Sequence, residues 1–255
     1  MEPRWTTKRL VNWVKQTFGI DCCRETVRKA LKKLGLSWKK SKKLLNKADP
    51  VARAAYLEEL KGRFEELLRT DRLLVYIDEA HIHLDTDEGY GWSIRNERYW
   101  VSSSSPGRQK VSFYGVYLYN LGQVRIFPFK VANRWTTIEV LKYLRCEFPE
   151  REMTVIWDGV PYHRTNEVLE VARILDIELR QLPSYSPDFM PVEHLWHWLR
   201  EEITYHCCYP NKPSLIAAVS AFTRQINQDP LAVGDRLWVQ SHLNDETEKL
   251  RVSTW

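Results

Sequence analysis

Apolar and polar positions along this chain follow two different periods, and the point where the period changes divides it. Between Trp5 and Leu34 the apolar residues recur every three or four positions. Leu10, Val11, Val14 and Phe18 make one stripe, and Val27, Ala30, Leu31 and Leu34 a second, the spacing of two amphipathic helices. Thr6 stands as N-cap of the first, Trp5 and Leu10 are placed for a hydrophobic staple across it, and Gly19 ends it. Gly35 ends the second, whose outer face carries Arg24, Arg28 and Lys32. Two short helices joined by a tight turn, the second with a basic face, predict a helix-turn-helix able to enter a major groove. A third, highly charged helix is predicted over 50–68.

From Leu73 onward the pattern is that of strands. Leu73-Leu74-Val75-Tyr76-Ile77 and Met153-Thr154-Val155-Ile156-Trp157 are short apolar runs bounded by polar residues, and read as buried strands. Further strands are predicted over 91–94, 111–119 and 124–130, the last two forming a hairpin through Asn120-Leu121-Gly122-Gln123. Helices follow over 136–148 and 165–175, with a strand over 177–182. Pro191 then opens a helix whose apolar face is Val192, Leu195, Trp196, Leu199 and Ile203. Antiparallel strands followed by alternating strand and helix predict an α/β fold, a mixed sheet with helices on its faces.

At 255 residues and 44% hydrophobic content the chain can build one large domain and a small one. It has no run of about 18 apolar residues, and its opening Met1-Glu2-Pro3-Arg4 begins neither a signal nor a transit peptide. A cytosolic or nucleoid location, without a membrane partner, is expected. The five cysteines include the neighbours Cys22-Cys23 and Cys207-Cys208 but no Cys-x-x-Cys element, and read as reduced thiols. The net charge of +5 is unevenly spread. Through residue 48, 14 lysines and arginines face three acidic residues, so the remainder is acidic. A basic arm of this kind suits a polyanion, and Lys39, Lys40, Lys42 and Lys43 give it a stretch fitted to phosphate contact.

The two clearest strands each end on an aspartate, Asp78 and Asp158, and Glu193 lies in the first turn of the Pro191 helix. Side chains on parallel neighbouring strands lie about 5 Å apart. Carboxylates that close cannot all stay ionised without a cation between them, and hard ions such as Mg²⁺ prefer oxygen ligands. Each residue alone has an ordinary alternative, since aspartate after a strand forms turns or caps and a glutamate three positions beyond a cap fits a capping box. The combination with a DNA-binding arm favours a metal site. His81, His83, Asp85, Asp87 and Glu88 read instead as an exposed strand and an acidic turn. His194 and His197 read as packing or DNA contacts, and His206 lacks the second ligand pair that zinc would need. Most of the 11 tryptophans are expected in the core, with Trp92, Trp100 and Trp135 on or near strands and loops where base stacking is the alternative.

Three blocks together resemble a known family. Asp78-Glu79, Trp157-Asp158-Gly159-Val160-Pro161-Tyr162-His163 and Leu182-Pro183-Ser184-Tyr185-Ser186-Pro187-Asp188-Phe189-Met190-Pro191-Val192-Glu193-His194-Leu195-Trp196 are similar to the motifs of the DDE transposases of the mariner superfamily. More narrowly they resemble its bacterial insertion-sequence branch, the IS six-thirty type. The resemblance runs from Trp5 to about Tyr205, with 34 residues between Asp158 and Glu193. It implies a ribonuclease-H-like catalytic domain with C-terminal helices over 71–255, a helical linker over 47–70, and a winged-helix-like helix-turn-helix module over 1–46, short of the two N-terminal subdomains usual in the family. It further implies Asp78, Asp158 and Glu193 as catalytic ligands of two Mg²⁺ or Mn²⁺ ions, with His163 as an accessory or structural residue. The implied partners are the double-stranded inverted repeats and target DNA, bound by a homodimer, and the implied reaction is cut-and-paste transposition at TA. Gly159 stands where the family usually has asparagine. Met190 stands where asparagine usually precedes the proline, leaving the Glu193 helix without a side-chain cap, a loss of about 1 kcal/mol. An inactive, transposase-derived DNA-binding protein and a nuclease of the same fold are the competing readings.

Overall fold

Thr6 Oγ1 accepts the Arg9 amide at 3.3 Å and so caps helix α1 (Thr7–Phe18), which Gly19 closes in the left-handed region at φ +68°. Helix α2 (Arg24–Lys33) follows the short connection. Trp5 sets its ring edge-on against Trp13, 6.2 Å between centroids, and Trp13 does the same to Phe18 at 5.3 Å. The computed structural model describes residues 5–37, 49–67, 69–94, 97–103, 109–184 and 186–237, and the chain divides into two units, Met1–Leu44 and Leu45–Trp255. Among the described residues of the first unit only Val27 is buried; Ala30 and Leu34, expected to face inward, are exposed. Two helices this short enclose too little volume to bury a whole stripe. Lys39, Lys40, Lys42 and Lys43 lie outside the described residues.

The second unit opens with α3 (Pro50–Leu67), whose Val51 and Ala52 amides are held by Asp49. Five strands follow, β1 (Leu73–His83), β2 (Lys110–Leu118), β3 (Gln123–Phe129), β4 (Met153–Trp157) and β5 (Ile177–Gln181), in the sheet order β3-β2-β1-β4-β5. The β1–β2 and β2–β3 pairs are antiparallel; β1–β4 and β4–β5 are parallel. Helices α4 (Arg134–Glu147) and α5 (Asn166–Ile174) cover one face. Helices α3, α6 (Pro191–Leu199), α7 (Lys212–Ile226) and α8 (Pro230–Arg236) cover the other. The period of two in β1 sorts its residues: Leu73, Val75 and Ile77 join the α4/α5 layer, while Leu74, Tyr76, Ala80 and Ile82 join the α3/α6 layer.

Three expectations change. Strand β1 does not end before Asp78. It stays paired with β2 as far as His83↔Lys110, whereas its pairing with β4 stops at Tyr76↔Ile156, so Asp78 lies inside a strand but just beyond the edge it shares with β4. The segment 91–94 forms no strand: it pairs with none of the described strands, and Trp92 is fully exposed. The hairpin turn is a 3-10 helix over Tyr119–Leu121 closed by Gly122 at φ +59°, where a Cβ would also lie 2.5 Å from the Pro230 carbonyl oxygen. Trp100 and Trp135 are exposed as well. Among the described residues no helix is long and apolar enough to cross a membrane.

Candidate active site

Asp78 and Glu79 follow one another on β1 and therefore point to opposite faces of the sheet. Asp78, 9% exposed, faces α6, where the Trp196 indole Nε1–H donates to its Oδ2 at 2.9 Å. The indole reaches it because Gly115, the register partner of Asp78 on β2, has no side chain. A Cβ on Gly115 would sit 2.6 Å from Trp196 Cζ2 and 2.8 Å from Val192 Cγ1.

Glu79 faces the other layer. Its Oε1 lies 2.8 Å from His163 Nε2, and its Oε2 accepts from the Tyr162 hydroxyl at 3.2 Å. His163 belongs to a 3-10 turn (Pro161–Arg164) just after β4 and stacks on Trp157, 4.6 Å between centroids and 13° between planes. Its Nδ1 lies 3.3 Å from Asp158 Oδ1, a charge contact off the line of a hydrogen bond. Burial disfavours the imidazolium, but Asp158 and Glu79 on its two nitrogens outweigh that and raise its pKa to about 9. His163 is thus positive at neutral pH and holds two carboxylates. Asp158 itself accepts the Val160 amide at 3.1 Å, which sets its side chain at the end of β4.

Glu193 projects from the first turn of α6, exposed along its side chain but with its carboxyl partly shielded from solvent. As expected from the sequence, Met190 gives this helix no side-chain cap. Asp78, Asp158 and Glu193, from three separate elements, line one open cleft of about 370 Å³ together with Gly159, Ser186 and Met190. Burial raises the Asp78 carboxyl to about 8, helped by the charges of Glu193 and Glu79 and opposed by the Trp196 hydrogen bond. Burial and Asp158 also raise Glu193, against the pull of Arg200. A divalent cation relieves such crowding, and the all-oxygen donor set fits Mg²⁺ or Mn²⁺.

Glu79, Asp158 and His163 also bring one ligand atom each to within 4.8 Å of one another. The hydrogen bond between His163 and Glu79 places a proton in that gap. Glu79, Tyr162 and Trp196 were not expected at the site from sequence. All three stand inside the motif blocks, but alternation sends Glu79 to the layer opposite Asp78, and Tyr162 and Trp196 meet their carboxylate partners only through the tertiary fold. Gly159 lies against Gln181, whose Nε2 would be 2.6 Å from a Cβ at that position. Arg24, Arg28 and Lys32 are exposed on α2, and Arg28 donates from Nε and Nη2, one edge of its guanidinium, to the two carboxylate oxygens of Glu25 on its own helix.

Residues 73–216 match the family described as DDE superfamily endonuclease, and residues 1–60 match winged helix-turn-helix domains. The chain is 24% identical over 233 residues to the insertion element IS630 uncharacterized 39 kDa protein of Shigella sonnei, covering 89% of this chain but only 66% of that relative's length. Its fold is similar to that of Mos1 transposase in a paired-end complex with the left transposon end, with a TM-score of 0.67 at 16% identity over 95% of this chain and 80% of the other. The Mos1 catalytic domain alone gives a TM-score of 0.53 at 16% identity, over 81% of this chain and 98% of the other. The large unit therefore has the ribonuclease-H-like fold expected from the sequence, behind a winged helix-turn-helix region. With the family matching residues 73–216 across the whole cleft, the chain belongs to the DDE superfamily endonucleases.

Proposed function

We propose that this chain is a DNA transposase that binds the inverted repeats of its element and cuts and joins phosphodiesters at the Asp78, Asp158 and Glu193 cleft. The observation that carries this reading is the convergence of three carboxylates from β1, the end of β4 and α6 in one cleft, with Asp78 held neutral by burial and by the charges of Glu193 and Glu79. Asp78, Asp158 and Glu193 would hold two Mg²⁺ or Mn²⁺ ions. When bound, these supply Lewis acidity that activates a water or a DNA 3′-hydroxyl and stabilises the leaving oxygen. Trp196 fixes the orientation of Asp78, and His163 fixes that of Asp158 while tethering it to Glu79.

DNA binding is assigned to the module over 1–46, through Arg24, Arg28 and Lys32 with Lys39, Lys40, Lys42 and Lys43. The segment 47–70 acts as a helical linker, and 71–255 carries the chemistry. Joining two element ends in one complex calls for a homodimer, and the cut-and-paste reaction at TA follows the family resemblance. The IS630 and Mos1 relatives, whose descriptions name an insertion element and transposon-end complexes, support the same substrate class.

The test is a supercoiled plasmid carrying the inverted repeats that flank the coding sequence. With Mg²⁺, excision and joined target products are expected from the native chain. Asp78→Asn, Asp158→Asn and Glu193→Gln should each abolish cleavage while end binding persists. Nicking without joined products would make the chain a nuclease. Full cleavage by any one variant would remove that residue from the ligand set.

A further inference from the structure

Arg53 of α3 is 6% exposed, an unusual place for a guanidinium, and it reaches Ser186, 133 residues away in sequence, and the neighbouring Phe189. Its Nη1 donates to Ser186 Oγ at 2.6 Å, and its guanidinium lies over the Phe189 ring, 4.4 Å from the centroid. Phe189 is fully buried, and Tyr56, one turn further along α3, packs against its ring at 5.4 Å. Ser186 and Phe189 bracket the 3-10 turn Pro187–Phe189 that leads straight into α6. One buried cation from α3 therefore grips both ends of the turn from which the Glu193 helix starts.

That grip falls where the helix needs it. The cap residue Met190 contributes no side-chain hydrogen bond, so the first turn of α6 is not fixed by its own N-terminus. Ser186 and Met190 line the same cleft as the carboxylates. Glu193 lies three residues beyond Met190, so a shift of the turn moves its carboxylate directly. Arg53 itself does not line the cleft. A charged side chain is withdrawn from water at this point without touching the reacting groups, which is the signature of a residue acting through another.

We infer that Arg53 is a positioning residue for Glu193: α3 holds the start of α6 through the Arg53 contacts to Ser186 and Phe189, and so sets the metal affinity of the cleft. This rests on the reading of Glu193 as a metal ligand.

The test uses the full chain. Mn²⁺ binding is measured without DNA from the free-ion electron paramagnetic resonance signal, beside thermal midpoints and the Mg²⁺ concentration that half-saturates cleavage. Loss of a residue that supports a ligand weakens metal affinity about 10- to 100-fold. Arg53→Met should therefore weaken Mn²⁺ binding at least about tenfold, with binding to the DNA ends unchanged. Arg53→Lys, which keeps the charge and one donor but not the flat guanidinium over Phe189, should fall in between. Ser186→Ala should weaken binding severalfold alone and add little to Arg53→Met. Native Mn²⁺ affinity in Arg53→Met overturns the inference, as does native affinity in both Arg53→Lys and Ser186→Ala if the methionine variant does not fold. Glu193→Gln is the control. If it alone loses Mn²⁺, only the role of Arg53 fails; if it binds Mn²⁺ as the native chain does, the assignment of Glu193 fails and the inference with it.

Discussion

Trp196 donates its indole N–H to Asp78 Oδ2 at 2.9 Å, tying a cleft carboxylate on β1 to the helix that carries Glu193 one turn earlier. The ring is buried and the bond runs to an acidic group, so both links contribute to the fold. Trp196→Phe keeps most of the apolar contact and removes the donor. We expect it to lose about 1–3 kcal/mol of stability in urea unfolding, the range for a buried hydrogen bond to an ionisable partner. Because the bond lowers the Asp78 pKa, the variant should also need higher pH for full cleavage. A pH profile unchanged from the native one would show that the bond does not act on Asp78.

Gly115 makes that contact possible. Gly115→Ala forces a Cβ to within 2.8 Å of both Trp196 and Val192, all of them in a closed layer. We expect a loss of about 1–3 kcal/mol, typical of overpacking, together with reduced cleavage. Gly62 is the internal control. It is exposed within α3 and has nothing within 4 Å of an added Cβ, so Gly62→Ala should gain about 0.5–1 kcal/mol from helix propensity. Thermal midpoints moving in the same direction for both variants would contradict the geometry.

The contrast between these residues shows what the sequence makes legible. Local periodicity located α1, α2, β4 and the start of α6 to within a residue or two, because each is set by its own apolar spacing and end signals, whereas the α6 face expected to reach Ile203 passes into a π-helical turn over Arg200–Thr204. Asp78, Asp158 and Glu193 stood out for the same reason, as acids at the margins of apolar runs. What periodicity misses is pairing. β1 runs on to His83 only because β2 lies beside it, and 91–94 forms no strand because no described strand pairs with it; the Tyr99 ring lies against Gly91 instead. Glu79 with His163, and Arg53 with Ser186, join residues 84 and 133 positions apart. Their signals along the chain, one acid in a strand and one arginine in a charged helix, are those of any solvated residue.

The protonation of Asp78 sets a pH dependence. Its carboxyl rises from 3.8 to about 8 in the metal-free fold, so it carries a proton at pH 7. The neutral form is the one the fold prefers. The Asp78 contribution is therefore greatest below the unfolded pKa and is lost as pH rises through the folded one. Asp78→Asn should accordingly gain stability relative to the native chain between pH 5 and 8. A cation must displace that proton, so apparent Mn²⁺ affinity should rise by about tenfold per pH unit below 8 and level off above it. Isothermal titrations in buffers of different ionisation enthalpy would count the proton released. An affinity flat across this range would mean that Asp78 is already ionised without metal.

On α2 the three expected DNA contacts are not equivalent. Glu25 binds one edge of the Arg28 guanidinium through both of its oxygens, so this charge is partly neutralised before DNA arrives, while Arg24 and Lys32 are exposed on the same helix. Each phosphate contact contributes about 0.9 to the slope of log affinity against log salt. Arg24→Ala and Lys32→Ala should each flatten that slope by about one contact, measured by anisotropy of a labelled inverted-repeat duplex between about 50 and 200 mM salt. Arg28→Ala should flatten it less, since the liberated Glu25 adds repulsion but the lost cation was already paired. Glu25→Gln supplies the opposite sign. It frees Arg28 and should both tighten binding and steepen the slope, whereas a purely structural Glu25–Arg28 pair would leave the slope as it is and weaken binding through the helix.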